Sequence, residues 1–245
     1  RADGGSVTLS AADGSMDMQQ ISIFGKPVWS EQTLTVNGRE IPATQNGWQL
    51  LHTNASLPMT LSSSMPWQIG FINIERPGRG VTVSAMGING AQLSQWSKWR
   101  PGMWEDLAQT KADLIILAYG TNEAFSGNLD ISSTERTWRN YIRQIKNTLP
   151  NAGILILGAP ESLKTAYGSC GNRPVLLSEV QQMQQRVARD EKIMFWSWQD
   201  AMGGACSMKS WMAQGLAAKD GVHFSAQGYE TAADKLADSL IRFAQ

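Results

Sequence analysis

Asp113-Leu114-Ile115-Ile116-Leu117-Ala118-Tyr119-Gly120-Thr121-Asn122-Glu123 is the stretch that decides the fold. Its first six residues form a near-continuous apolar run that ends at a glycine turn. A parallel strand buried on both faces reads this way, whereas a half-exposed strand alternates. Residues 153–157 (GILIL) repeat the pattern, residues 193–196 give a shorter version, and residues 81–86 read as a further strand upstream. Between these runs, residues 134–149 and 176–191 have helical periodicity, and Pro150 closes the first of them. Ser225 is placed to cap a last helix in which Tyr229, Ala233, Leu236 and Leu240 share a face. Strands alternating with helices predict an α/β domain over residues 81–245, with a parallel sheet covered by helices on both faces.

Residues 1–80 read differently. Runs at 18–24, 33–36, 48–52 and 69–74 are short and punctuated by turns, and Asn37-Gly38 after the second is a strong hairpin signal. No helical period interrupts them, so the segment predicts a compact β module.

Charge and hydropathy narrow the function. The chain carries 21 Lys+Arg against 21 Asp+Glu, scattered along its length, so no cationic field gathers a phosphate backbone, and a nucleic-acid partner is not expected. No apolar run approaches the roughly 18 residues of a membrane span. Ten Trp against four Tyr and six Phe is an unusual balance. An indole can stack on a sugar ring, but most Trp bury area in cores, and the core is the expected place for each one. Cys170 and Cys206 lack metal spacing and read as a disulfide or as two inert thiols.

Only two histidines are available as a general base near neutral pH. His52 lies inside the β module, where a structural role is expected. His223 lies in Asp220-Gly221-Val222-His223-Phe224-Ser225. An Asp three residues ahead, across a turn containing Gly, can place its carboxylate on Nδ1, fix the tautomer and stabilise the imidazolium formed when Nε2 takes a proton. A second cluster follows the strands. The crevice beyond the carboxyl ends of parallel strands is where open α/β sheets bind ligands. Asn122 follows one strand and can donate its amide to an oxyanion there. Gly90, in Gly87-Ile88-Asn89-Gly90-Ala91, follows another and can offer an unobstructed N–H.

Gly90 in GlyIleAsnGly, Asn122 in GlyThrAsnGlu, and Asp220 with His223 in AspGlyValHis resemble, in order and spacing, blocks of the SGNH or GDSL-type esterase superfamily. GINGAQLSQW, LAYGTNEAF, FWSWQDAMGG and DGVHFSAQGY are similar to its peptidoglycan O-acetylesterase branch, in which a β-sandwich resembling a carbohydrate-binding module is inserted into the hydrolase domain, so the resemblance implies that residues 1–80 are such a sandwich. The resemblance implies a flavodoxin-like parallel sheet and a serine esterase acting on O-acetyl groups of a cell-wall glycan. It assigns His223 as base, Asp220 as its orienting residue, and Gly90 and Asn122 as the oxyanion hole. No metal or cofactor is implied. The protein is placed in the periplasm, the cell envelope or outside the cell, where an oxidising environment favours the Cys170–Cys206 disulfide.

One block departs from the pattern. The family's Gly-Asp-Ser, whose Ser is the nucleophile, does not occur, and neither does a Gly-x-Ser-x-Gly elbow. The nucleophile and its central strand are therefore expected outside this sequence, as residues upstream of Arg1 or as a separate chain. Two rivals share the motifs: an O-acetyltransferase with the same acyl-enzyme, and a non-catalytic glycan-binding protein with a dead hydrolase fold.

Overall fold

The computed structural model describes residues 4–29, 32–99 and 101–244. The chain divides into two compact units, Arg1–Met86 and Gly87–Gln245. In the first, β1 (Ser6–Leu9), β6 (Met59–Ser62), β3 (Thr33–Val36) and β4 (Arg39–Pro42) form one antiparallel sheet in that order. β5 (Gln49–Ser56), β2 (Met18–Pro27) and β7 (Trp67–Glu75) form the other. Along β2 the pleat sends Ile21 and Ile23 inward and leaves Gln20 exposed on the opposite face. The inward residues meet Leu34, Val36, Leu51, Met59 and Leu61 in a core between the two sheets. β3 turns into β4 through Asn37 and Gly38, both at positive φ (47° and 79°), as a two-residue hairpin loop requires.

The second unit is built on a parallel sheet of β8 (Leu114–Ala118), β9 (Gly153–Leu157) and β10 (Met194–Trp196), ordered β10-β9-β8. Of its helices, α1 (Met103–Gln109), α2 (Thr121–Phe125), α5 (Trp198–Met202) and α6 (Met208–Ala213) are short, and the amphipathic α3 (Ile131–Thr148) and α4 (Leu177–Asp190) pack on the sheet. α3 contributes Trp138, Ile142 and Ile145, spaced four and three residues apart on one face. α4 contributes Val180, Met183 and Val187, and these meet Leu117, Ile154 and Ile156 of the strands. Asp130 caps α3 by accepting from the Ser133 N–H at 3.2 Å. The last helix, α7 (Ala226–Ala244), is preceded by Ser225, whose Oγ accepts from the Gly228 N–H at 3.1 Å, so the expected cap is formed.

Two expectations need correction. Residues 81–86 are not a strand: no ladder forms there among the described residues, and Val81 and Val83 are 91% and 87% exposed. An apolar, β-branched run satisfies its backbone as a strand only where a neighbouring strand offers the complementary groups. The run 113–118 is also not buried on both faces. Among the described residues β8 pairs with β9 alone, and Ile116 is 43% exposed.

Candidate active site

The turn carrying His223 is locked from several directions. Asp220 Oδ1 accepts from the Val222 and His223 N–H groups at 2.8 and 3.0 Å, and Oδ2 lies 2.7 Å from His223 Nδ1. The carboxylate therefore shapes the turn and orients the imidazole together. The backbone hydrogen bond from His223, its imidazole contact and the Val222 N–H hold the Asp220 carboxyl at about 2, well below its ordinary 3.8. Gly221 has φ +72°, and a Cβ there would come within 3.0 Å of the Leu163 Cβ. Next to His223, Phe224 is buried, stacked on Trp198 at 5.2 Å and edge-on to Trp211 at 5.4 Å. The Leu163 N–H donates to the Gly221 carbonyl at 2.8 Å, which ties this turn to the segment that follows β9.

The second group forms where β8 ends. Gly120 leads into α2 (Thr121–Phe125) at φ +120°, and a Cβ there would clash with the Ala159 Cβ and the Gln184 amide, both at 2.8 Å. Only glycine fits. Asn122 lies in this short helix, and its Nδ2 donates to the Ala91 carbonyl at 2.9 Å. In return, Gln92 Nε2 donates to the Asn122 carbonyl at 3.2 Å. Gly90 is the third residue of a turn closed by the Ala91 N–H on the Ile88 carbonyl at 3.1 Å. Its φ of +77° explains the glycine, and open space surrounds the position of a would-be Cβ. The fold thus brings Asn122 to the loop that carries Gly90.

Two buried polar side chains near these loops were not anticipated. Glu123, only 1% exposed, accepts from the Leu93 N–H through Oε1 and from the Gly120 N–H through Oε2, both at 2.9 Å. Burial pushes its carboxyl above the ordinary glutamate range, against the lowering effect of those hydrogen bonds. Gln184 donates to the Tyr119 carbonyl at 2.7 Å and accepts from the Ala159 N–H at 2.8 Å, linking the ends of β8 and β9. Its signal is visible in the sequence: an amide among Val180, Met183 and Val187 on the core face of α4. For Glu123 only the Gly120 contact, three residues back with capping-box spacing, leaves a trace in the sequence; the Leu93 contact, 30 residues away, leaves none.

His52 sits in the first unit, with Nδ1 3.0 Å from the Ser22 Oγ on the neighbouring strand. Cys170 and Cys206 form a disulfide. It braces the chain after β9, where buried Glu161 also accepts from Arg173 Nη2 at 3.1 Å and Gln199 Nε2 at 2.6 Å. Among the described residues, no three His, Cys, Asp or Glu side chains converge as a metal site, and no helix is long and apolar enough to cross a membrane.

A family model of GDSL-like lipases and acylhydrolases matches residues 66–231. A solved structure of a peptidoglycan O-acetylesterase is 64% identical with a TM-score of 0.93, over 98% of this chain and 68% of that one. A Bacillus subtilis protein (11% identical, TM-score 0.51, 99% of this chain and 88% of that one) shares the fold. So does an acetyl xylan esterase (16% identical, TM-score 0.50, 62% and 78%). No curated protein sequence matches the chain. The family match spans more than half of the chain and the 64% identical structure covers nearly all of it, and the chain belongs to the GDSL-like lipase/acylhydrolase family.

Proposed function

We propose that the protein is a serine esterase that removes O-acetyl groups from a cell-wall glycan, with the acetyl ester on muramic acid as its leading substrate. The observation that carries this reading is the Asp220–His223 pair at 2.7 Å, in a chain whose 64% identical relative is a peptidoglycan O-acetylesterase. A serine hydroxyl attacks the acetyl carbonyl and His223 Nε2 takes its proton, while Asp220 holds the ring and balances the imidazolium charge. The carbonyl oxygen becomes an oxyanion, met by the Gly90 N–H and the Asn122 amide. An Asn amide carries two N–H donors. One is committed to the Ala91 carbonyl, which fixes the group, and the other remains for the oxyanion. The tetrahedral adduct then expels the sugar oxygen, which takes the proton back from His223. Water, deprotonated by the same imidazole, releases acetate and regenerates the serine.

The serine belongs to a strand outside residues 1–245. Its proposed place is the open edge of β8, where a parallel partner would satisfy the unpaired backbone and cover Ile116. The β module would hold the glycan strand, and the disulfide fits an extracytoplasmic protein.

Release of acetate from O-acetylated peptidoglycan tests the reading. Residues 1–245 alone should be inactive. A preparation that also supplies the serine strand, as residues ahead of Arg1 or as a separate chain, should be active, and His223→Ala should remove at least about 1,000-fold of that rate. Robust activity of residues 1–245 alone would move the nucleophile to an internal serine such as Ser6. Acetyl transfer to a sugar without free acetate would favour the transferase. Tight glycan binding with no turnover in the complete protein would favour the dead-hydrolase rival.

A further inference from the structure

We propose that Glu123 is a positioning residue whose carboxylate bridges the two loops carrying the oxyanion donors and holds Gly90 and Asn122 in one register; this rests on the esterase reading above. Each carboxylate oxygen has its own task. Oε1 takes the Leu93 N–H, three residues beyond Gly90, and Oε2 takes the Gly120 N–H, two residues before Asn122, both at 2.9 Å. The exposed seam between the same loops consists of Asn122 Nδ2 on the Ala91 carbonyl and Gln92 Nε2 on the Asn122 carbonyl. Water competes for that outer pair. It does not reach the inner pair, because Glu123 is 1% exposed and Leu93 is fully buried.

The chemistry of the bridge requires a carboxylate. Two N–H groups arriving from different loops need two acceptors on one rigid plane, and an ionised carboxylate supplies both. A glutamine supplies one acceptor and sets an NH2 group against the second N–H. An aspartate keeps both acceptors but is one methylene too short to reach both loops. Glu123 touches no reacting atom; its effect passes through the placement of Asn122 and Gly90, where a displacement near 1 Å is worth about 100-fold in rate.

The test uses the complete protein with its nucleophile serine, comparing Glu123→Gln and Glu123→Asp with the wild type for acetate release and for amide hydrogen exchange. Glu123→Gln should lower kcat about 10- to 100-fold while KM stays within about twofold. Exchange at Leu93 or Gly120 should accelerate, and the Asn122 side-chain amide resonances should shift. Glu123→Asp should show the same kcat-against-KM split. A kcat loss no greater than the loss of folded protein, seen by tryptophan fluorescence, would overturn the proposal and leave a structural role. Unchanged exchange at both amides in Glu123→Gln would overturn it as well. Should the wild type release no acetate, the esterase reading fails, while exchange at Leu93 and Gly120 still decides whether the bridge exists.

Discussion

β8 and β9 are close to interchangeable on paper, LIILA against GILIL, yet the molecule treats them oppositely. β9 lies between β10 and β8 and buries Ile154, Leu155 and Ile156. β8 buries only Leu117 and has a partner on one side among the described residues. An apolar run therefore states that a strand needs cover on both faces; it does not state that the cover is present. The two strands also divide the chemistry. The chain leaving β8 runs through Gly120 to Asn122, whose Nδ2 bonds to the Ala91 carbonyl beside Gly90, whereas the chain after β9 is bonded through Leu163 to the turn holding Asp220 and His223. On the proposed reading, a strand seated on β8 would complete the sheet on the side of the proposed oxyanion donors, which would tie completion of the fold to completion of the site.

The sharpest way to break the comparison is to remove the donor at the end of β8. With the proposed serine strand supplied, Asn122→Ala should lower kcat by about 100- to 1,000-fold, or roughly 2.7 to 4 kcal/mol of transition-state stabilisation. A loss under tenfold in steady-state acetate release would take Asn122 out of the oxyanion hole.

A smaller effect compares the two strands directly. Ile156, fully buried in β9, should lose about 0.5 to 1.5 kcal/mol of stability on truncation to Val. Ile116→Val on the open face of β8 should stay within about 0.5 kcal/mol in residues 1–245. Urea unfolding of the pair measures the difference. With the proposed serine strand supplied, the Ile116 cost should rise toward that of Ile156, and an unchanged Ile116 value there would argue against a strand on β8.

The smallest effect lies on the side tied to β9. The native Asp220 carboxyl is depressed to about 2 from its ordinary 3.8, so its stabilisation is fully present above 3.8 and is lost as pH falls through about 2. The stability gap between wild type and Asp220→Asn should be flat from pH 7 down to about pH 5 and should shrink only below about pH 4. Unfolding midpoints at pH 7, 5 and 3 would show it. A gap that closed between pH 7 and pH 5 would assign the effect to another group.

How much was legible follows from distance along the chain. The Asp220–His223 contact could be read from the sequence because three residues and a glycine turn confine both side chains to one another's reach. Asn37-Gly38, Ser225 and the helical face of α3 were readable for the same reason. Residues 81–86 misled because β propensity describes a side chain's fit to a pleated surface, and no partner surface forms beside them among the described residues. Glu123 reads as an ordinary polar residue after Asn122. Its partner Leu93 opens a short 3-10 helix (Leu93–Lys98) that only the folded unit brings near.

By itself, then, the sequence determined the local geometry of this protein: which runs are extended, where turns demand glycine, and how Asp220 meets His223. Steric limits on φ and hydrogen bonds between near neighbours settle such features before any tertiary contact forms. The tertiary structure alone decided which strand is central and which is an edge, and which buried carboxylate joins the loops of Asn122 and Gly90. Those outcomes depend on backbone groups far apart in the chain finding or lacking partners, and no local pattern encodes that pairing.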